Sequence, residues 1–269
     1  MFPPELPPIK NRLLYCYRVF AKWLSFFFFG LSTAMLLTLI FPVARIFLHP
    51  RERLQKFGRS FVSSSMRFFV GFMDVIGAAK LNTVDRKYFR NIKSKIVAPN
   101  HPSLLDIIML LSLVPNADCI VNANYRHTII GGVIRQLYIL NSLDFDELLK
   151  SCSESLKQGN CLVIFPEGTR TPRRGKIIVK KGVARIALFS GCNIIPVHIG
   201  GTDKYGLGKK DPWTAYNPTE RYIYTLSIKE EISPEKYRDL SGPAAAKALT
   251  MELKDVLFPE ASEGDKGER

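Results

Sequence analysis

The stretch Lys95-Ile-Val-Ala-Pro-Asn-His101-Pro-Ser-Leu-Leu-Asp106 decides the fold. Its apolar residues 96–98 read as a short strand that stops at Pro99. Pro102 disfavours the α region at the residue before it and holds His101 extended. Ser103 then stands as the N-cap of a helix beginning at Leu104, with Asp106 at the third helical position. Two residues five apart within one helix lie about 140° apart and cannot meet. A histidine held before the helix and an aspartate in its first turn can. An imidazole oriented by a carboxylate is a general base for a hydroxyl or a thiol. Ser103-x-x-Asp106 is equally a capping box, in which the carboxylate satisfies backbone N–H groups, and the two roles do not exclude each other.

Outward from this stretch the chain alternates. After the helix 104–113, closed by Pro115, Cys119–Asn122 reads as a strand and Thr128–Leu137 as a loop or short helix. Tyr138–Leu140 is a short strand, and Phe145–Lys157 a helix stopped by Gly159. Cys161-Leu-Val-Ile-Phe165 is a continuous apolar run, as in a buried parallel strand. Val183–Phe189 is helical, Ile194–Ile199 and Arg221–Ile228 are strands, and Ala244–Val256 is an amphipathic helix. The expected fold is α/β, a mostly parallel sheet flanked by helices.

The N-terminal side differs in character. From Trp23 to Ala44 there are 22 residues without a charge, enough for about 20 apolar residues to cross a bilayer core. Lys10, Arg12, Arg18 and Lys22 precede this run, and Arg45, Arg51, Arg53, Lys56 and Arg59 follow it. The second flank is heavier and leads into the candidate site, which places the body on the cytoplasmic face. The stretch 61–79 is apolar but carries Arg67 and Asp74. It reads as an interfacial amphipathic helix or as a helix packed on the body. The expected organisation is a membrane-anchoring helical segment at 1–80, a domain at 81–258, and a polar, disordered tail at 259–269.

Composition narrows the function. The 269 residues carry a formal charge of +14, with nine basic and two acidic side chains in the first 60. A basic body beside an apolar segment suits anionic membrane lipids as partners. No basic–aromatic RNA-binding motif and no zinc-finger spacing accompanies the charge, so no nucleic acid is expected. The five cysteines are odd in number and scattered, which excludes a disulfide framework, and neither they nor His49, His127 and His198 form a metal-ligand pattern.

A second charged turn follows the run at 161–165: Pro166-Glu-Gly-Thr-Arg-Thr-Pro-Arg-Arg-Gly-Lys176. From Arg170 to Lys181 six of twelve residues are basic and none is acidic, a set able to hold phosphate or an anionic headgroup. For Arg173, Arg174 and Lys176 the preferred reading is a solvated basic loop.

Asn100-His-Pro-Ser-Leu-Leu-Asp106 followed by Phe165-Pro-Glu-Gly-Thr-Arg170 resembles the glycerolipid acyltransferase superfamily, and in particular its 1-acylglycerol-3-phosphate acyltransferases. Lys180–Ala187 and Ile194–Val197 resemble the family's following segments. The resemblance implies acyl transfer from a thioester, acyl-CoA or acyl carrier protein, to a hydroxyl, with no bound cofactor. His101 would be the base and Asp106 its orienting partner. Glu167, Gly168, Thr169 and Arg170 would position the acceptor, with Lys180 and Lys181 beside them. One position departs from the pattern: the stretch Tyr138-Ile-Leu-Asn141-Ser142 carries Asn141 where the family has an acceptor-binding arginine. An acyltransferase for a different hydroxyl lipid or a specialised chain is the alternative. A non-catalytic lipid-binding protein of the same fold is the reading from another class.

Overall fold

The computed structural model describes residues 6–48, 51–121, 123–124, 131–141, 144–173 and 175–259. Helix α1 (Arg12–Met35) starts at Asn11, whose side chain accepts the Leu14 N–H at 3.0 Å. It continues through a π-helical turn at Leu36–Ile40 into α2 (Phe41–Phe47). Among the described residues one helical run, Arg12–Ala44, is long and apolar enough to cross a membrane, and little of it is buried. Helix α3 (Arg51–Val75) ends where Gly77 takes the left-handed conformation, φ +70°, that lets the chain turn into β1 (Ala79–Asn82).

Strand β2 (Ile96–Pro99) follows the short helix α4 (Arg86–Asn91) and leads to α5 (Asp106–Leu113). Then come β3 (Ala117–Val121), α6 (Gly131–Leu137), β4 (Ile139–Leu140), α7 (Phe145–Lys157) and β5 (Cys161–Val163). Helix α8 (Gly182–Ser190), β6 (Ile194–Gly201), β7 (Tyr222–Ile228) and α9 (Gly242–Leu257) complete the body. The seven strands run in the order β1-β7-β6-β2-β5-β3-β4, parallel throughout except for the β6–β7 pair. The expected fold class is therefore what is found.

Period-two alternation along the strands feeds two cores. Val97, Cys161 and Val163 face one layer, where they meet Val62, Phe69 and Met73 of α3 and Met109, Leu110 and Leu113 of α5. Ile96, Ala98 and Leu162 face the other, against α7, α8 and α9. Helix α3 is thus a helix packed on the body, the second of its two readings, while Phe57, Phe68 and Val75 remain exposed on it. It begins ten residues before the apolar stretch that announced it, at Arg51, and a boundary after residue 80 divides β1.

Helix α5 begins at Asp106 and not at Leu104. Residues 103–105 form a turn instead, and the Ser103 hydroxyl bonds the Asp106 carboxylate at 2.6 Å. The expected residues 128–130 of the α6 region, Ser142, Arg174 and the tail from 260 lie outside the described residues.

Candidate active site

Adjacent parallel strands β2 and β5 are in register at Ile96 with Leu162 and Val97 with Val163. Their C-terminal ends therefore open side by side, and each carries one of the two sequence motifs. Ligands in open α/β sheets bind beyond these strand ends.

Beyond β2, Asn100 splints the sheet. Its side chain accepts the Ile199 N–H at 2.6 Å and donates to the Ile199 carbonyl at 3.1 Å, which fixes the chain just before the histidine. His101 Nδ1 stands 2.9 Å from Asp106 Oδ2. Facing a carboxylate, Nδ1 carries the proton and donates it, which leaves Nε2 as the ring's unprotonated nitrogen. Asp106 is fully buried and also accepts the Ser103 N–H on Oδ2 at 2.6 Å. Asp106 thus makes both the contact with His101 and the bond from the Ser103 N–H, although the N-cap position of α5 is Leu105 and carries no side-chain cap. The His101 ring stacks on Phe165, centroids 4.0 Å apart, so the residue that ends the second strand run fixes the imidazole plane.

Beyond β5, Glu167 is buried and sews the two motifs together. Its Oε1 accepts the His101 backbone N–H at 3.0 Å and the Thr171 hydroxyl at 2.7 Å. Its Oε2 is buried with no hydrogen-bond partner among the described residues. Burial pushes the Glu167 carboxyl above its ordinary value, against the pull of its bonds from Thr171 and the His101 N–H. Gly168 takes φ +65°, and a Cβ there would come within 2.8 Å of Lys180 Nζ. The positive φ is what calls for glycine, since the Lys180 side-chain end can swing away. Thr169 is exposed at the tip of the turn.

Arg170 Nη1 donates to the carbonyls of Leu207 and Gly208, 3.0 Å each, and is half-buried under that loop. Lys180 is anchored to the motif through its backbone N–H on the Pro166 carbonyl at 2.8 Å, while Lys181 is exposed at the N-cap of α8. Arg173 is not a solvated cation. It pairs with Asp203 at 2.5 Å and Asp211 at 3.0 Å. Asp211 in turn accepts the Gly206 and Gly208 N–H groups at 3.0 Å, which shapes the loop over Arg170. Asn141 closes β4: its backbone N–H bonds the Val121 carbonyl, and its exposed side chain accepts the Ala123 N–H at 2.8 Å. Among the described residues no group of three or more His, Cys, Asp or Glu side chains gathers as a metal site.

Sequence reasoning overlooked the splint at Asn100, the Thr171 hydroxyl, and two buried groups from the far end of the chain, Lys204 and Tyr224. The first two lie beside motif residues and were within reach. The last two carry no local signal.

A histidine–aspartate pair and a Glu-Gly-Thr-Arg turn stand on neighbouring parallel strand ends, and residues 80–200, which hold both, match the family model described as Acyltransferase. The more particular likeness is to glycerolipid acyltransferases. The chain is 31% identical over 156 residues to the 1-acyl-sn-glycerol-3-phosphate acyltransferase of Helicobacter pylori, covering 55% of this chain and 65% of that protein. It is 32% identical over 115 residues to a chloroplastic 1-acyl-sn-glycerol-3-phosphate acyltransferase of Arabidopsis thaliana, covering 40% of this chain and 32% of that one. The chain thus spans less than two thirds of either curated relative. The crystal structure of the 1-acyl-sn-glycerophosphate acyltransferase of Thermotoga maritima has the same fold, with a TM-score of 0.60 at 22% identity over 88% of this chain and 97% of that one. These matches bear out the resemblance drawn from the two motifs.

Proposed function

We propose that this chain is a membrane-bound acyltransferase that moves a fatty acyl group from a thioester, acyl-CoA or acyl carrier protein, to the hydroxyl of a glycerolipid such as 1-acylglycerol-3-phosphate. The observation that carries this reading is the 2.9 Å contact between His101 Nδ1 and the buried Asp106, set beside the Glu167 turn. His101 Nε2 takes the proton of the acceptor hydroxyl as its oxygen attacks the thioester carbonyl. Asp106 holds the imidazolium so formed. The tetrahedral oxyanion then collapses, the C–S bond breaks, and the departing thiolate takes the proton back from His101. General-base help of this kind is worth about 10²–10⁴-fold on a hydroxyl nucleophile.

Glu167 Oε2 offers an unfilled acceptor to a second hydroxyl of the lipid backbone, and Arg170, the cation of the same turn, would serve its phosphate. The exposed row Leu13, Phe20, Phe27, Leu31 and Met35 on α1 supports attachment to a bilayer, and the heavier basic flank at residues 45–59 supports a body on the cytoplasmic face. The test is transfer activity of the detergent-solubilised chain with both donor classes and with phosphorylated and unphosphorylated acceptors. His101→Ala should lose transfer by at least about a hundredfold and still sediment with vesicles. Near-normal turnover in that variant would remove the base from the scheme.

A further inference from the structure

Asp106 has a second support that comes from outside the matched stretch 80–200. The Ser103 hydroxyl lies 2.6 Å from Asp106 Oδ1 and 2.8 Å from the hydroxyl of Tyr224 on β7, a residue 121 positions later. The direction of these bonds follows by elimination. An ionised carboxylate only accepts, so the single Ser103 hydroxyl proton goes to Asp106. The Ser103 oxygen is then the acceptor for Tyr224, which donates. It also takes the Leu105 N–H at 3.3 Å. Ser103 and Tyr224 are both fully enclosed, so water does not compete for these bonds.

What surrounds Tyr224 favours the donor role. Burial, with the Asp106 charge added to it, pushes the phenol well above its usual value, so it keeps its proton across any working pH. The buried ammonium of Lys204 stands 4.6 Å from the centroid of the Tyr224 ring and is itself bound to the Gly200 and Ile223 carbonyls at 3.3 and 2.8 Å. β7 is held on both sides, by β1 and by β6, which places the hydroxyl rigidly.

We infer that Tyr224 is a positioning residue for the reaction: through Ser103 it orients the Asp106 carboxylate and so keeps His101 in the Nδ1–H form with Nε2 toward substrate. The inference rests on the proposed acyl transfer for its catalytic consequence, but not for its physical one. Two measurements separate them. In Tyr224→Phe, kcat should fall about tenfold, the scale of one neutral hydrogen bond, with the acceptor KM within about twofold. The proton resonance of the His101 Nδ1–H, assigned by its absence in His101→Ala, should move from its wild-type position. Ser103→Ala should act likewise, and the double variant should be no worse than Ser103→Ala alone, since both changes cut one chain. Ser103→Ala reads the same link without touching β7, should that strand reject phenylalanine. A His101 resonance unmoved in both single variants overturns the inference, as does a double variant whose losses multiply. Absence of transfer by the wild-type chain would overturn the proposed function and leave the resonance test standing.

Discussion

At the scale of single residues, the site is built by making each polar side chain serve two neighbours. Glu167 is the clearest case: one oxygen is fully engaged and the other has no partner. A carboxyl whose folded-state pKa lies above its unfolded one binds an extra proton in the folded protein between those two values. Stability therefore falls as pH rises through that window. Glu167→Gln removes the titration while its amide oxygen accepts the same two bonds. Thermal unfolding should then give a melting-temperature gain over wild type that is larger at about pH 7 than at about pH 4, where the wild-type group is protonated as well. Equal differences at the two pH values would contradict the buried, uncompensated charge.

At the scale of elements, α3 is fastened to the sheet by a buried polar cluster at the opposite end from the site. Arg59 and Asp118, with side chains 5% and 6% exposed, stand 3.5 Å apart, and Asp118 also accepts the Ser155 hydroxyl at 2.7 Å. Asp118→Ala leaves the Arg59 charge without its carboxylate, held by the neutral Asn160 oxygen at 3.3 Å, and should cost about 3 kcal/mol in chemical denaturation. Specific activity per folded molecule should hold, because the cluster lies away from the strand ends that carry the candidate site. A loss below about 1 kcal/mol would mean that Arg59 finds water or another acceptor.

Much of this level was legible. The β2, β5, β6 and β7 strands and helices α7, α8 and α9 announce themselves by apolar runs, periodicity and stop glycines. β1 did not, because four residues, Ala79-Lys-Leu-Asn82, are too few to show a period. The start of α5 was misplaced because the Ser103 hydroxyl serves the Asp106 side chain in place of capping a helix, a choice made by tertiary contact with Tyr224. Arg173 was misjudged for a similar reason: its partners Asp203 and Asp211 are remote in sequence.

At the scale of the whole molecule, the N-terminal helix and the site are joined through the loop that precedes β7. Lys22 of α1 reaches the carbonyls of Trp213 and Ala215 at 2.6 and 2.5 Å, and Tyr15 Oη accepts the Tyr216 N–H at 3.3 Å. The same loop supplies the carbonyls that hold Arg170. On the proposed reading, the apolar face of α1 sets how the strand ends meet the lipid surface. Replacing exposed Phe27 and Leu31 together by Ser should remove about 3 kcal/mol of apolar burial from membrane attachment. Co-sedimentation with vesicles should drop accordingly, while activity on acceptor dispersed in detergent stays near wild type. Unchanged sedimentation would shift the attachment to another face.

The strand order has a consequence in time. β1 pairs only with β7, and β7 joins it to the rest through β6. A ribosome that has released β1 must add the residues from 83 to 221 before its partner exists. At about 5–20 residues per second this is an interval on the order of ten seconds. Within that interval α3 gains its partners on α5, β2 and β5, while β1 still waits, and β6, once made, keeps an open edge until β7 follows. The last strand to arrive also brings Tyr224 to Ser103, so closing the sheet and completing the support of the Asp106 carboxylate are one event.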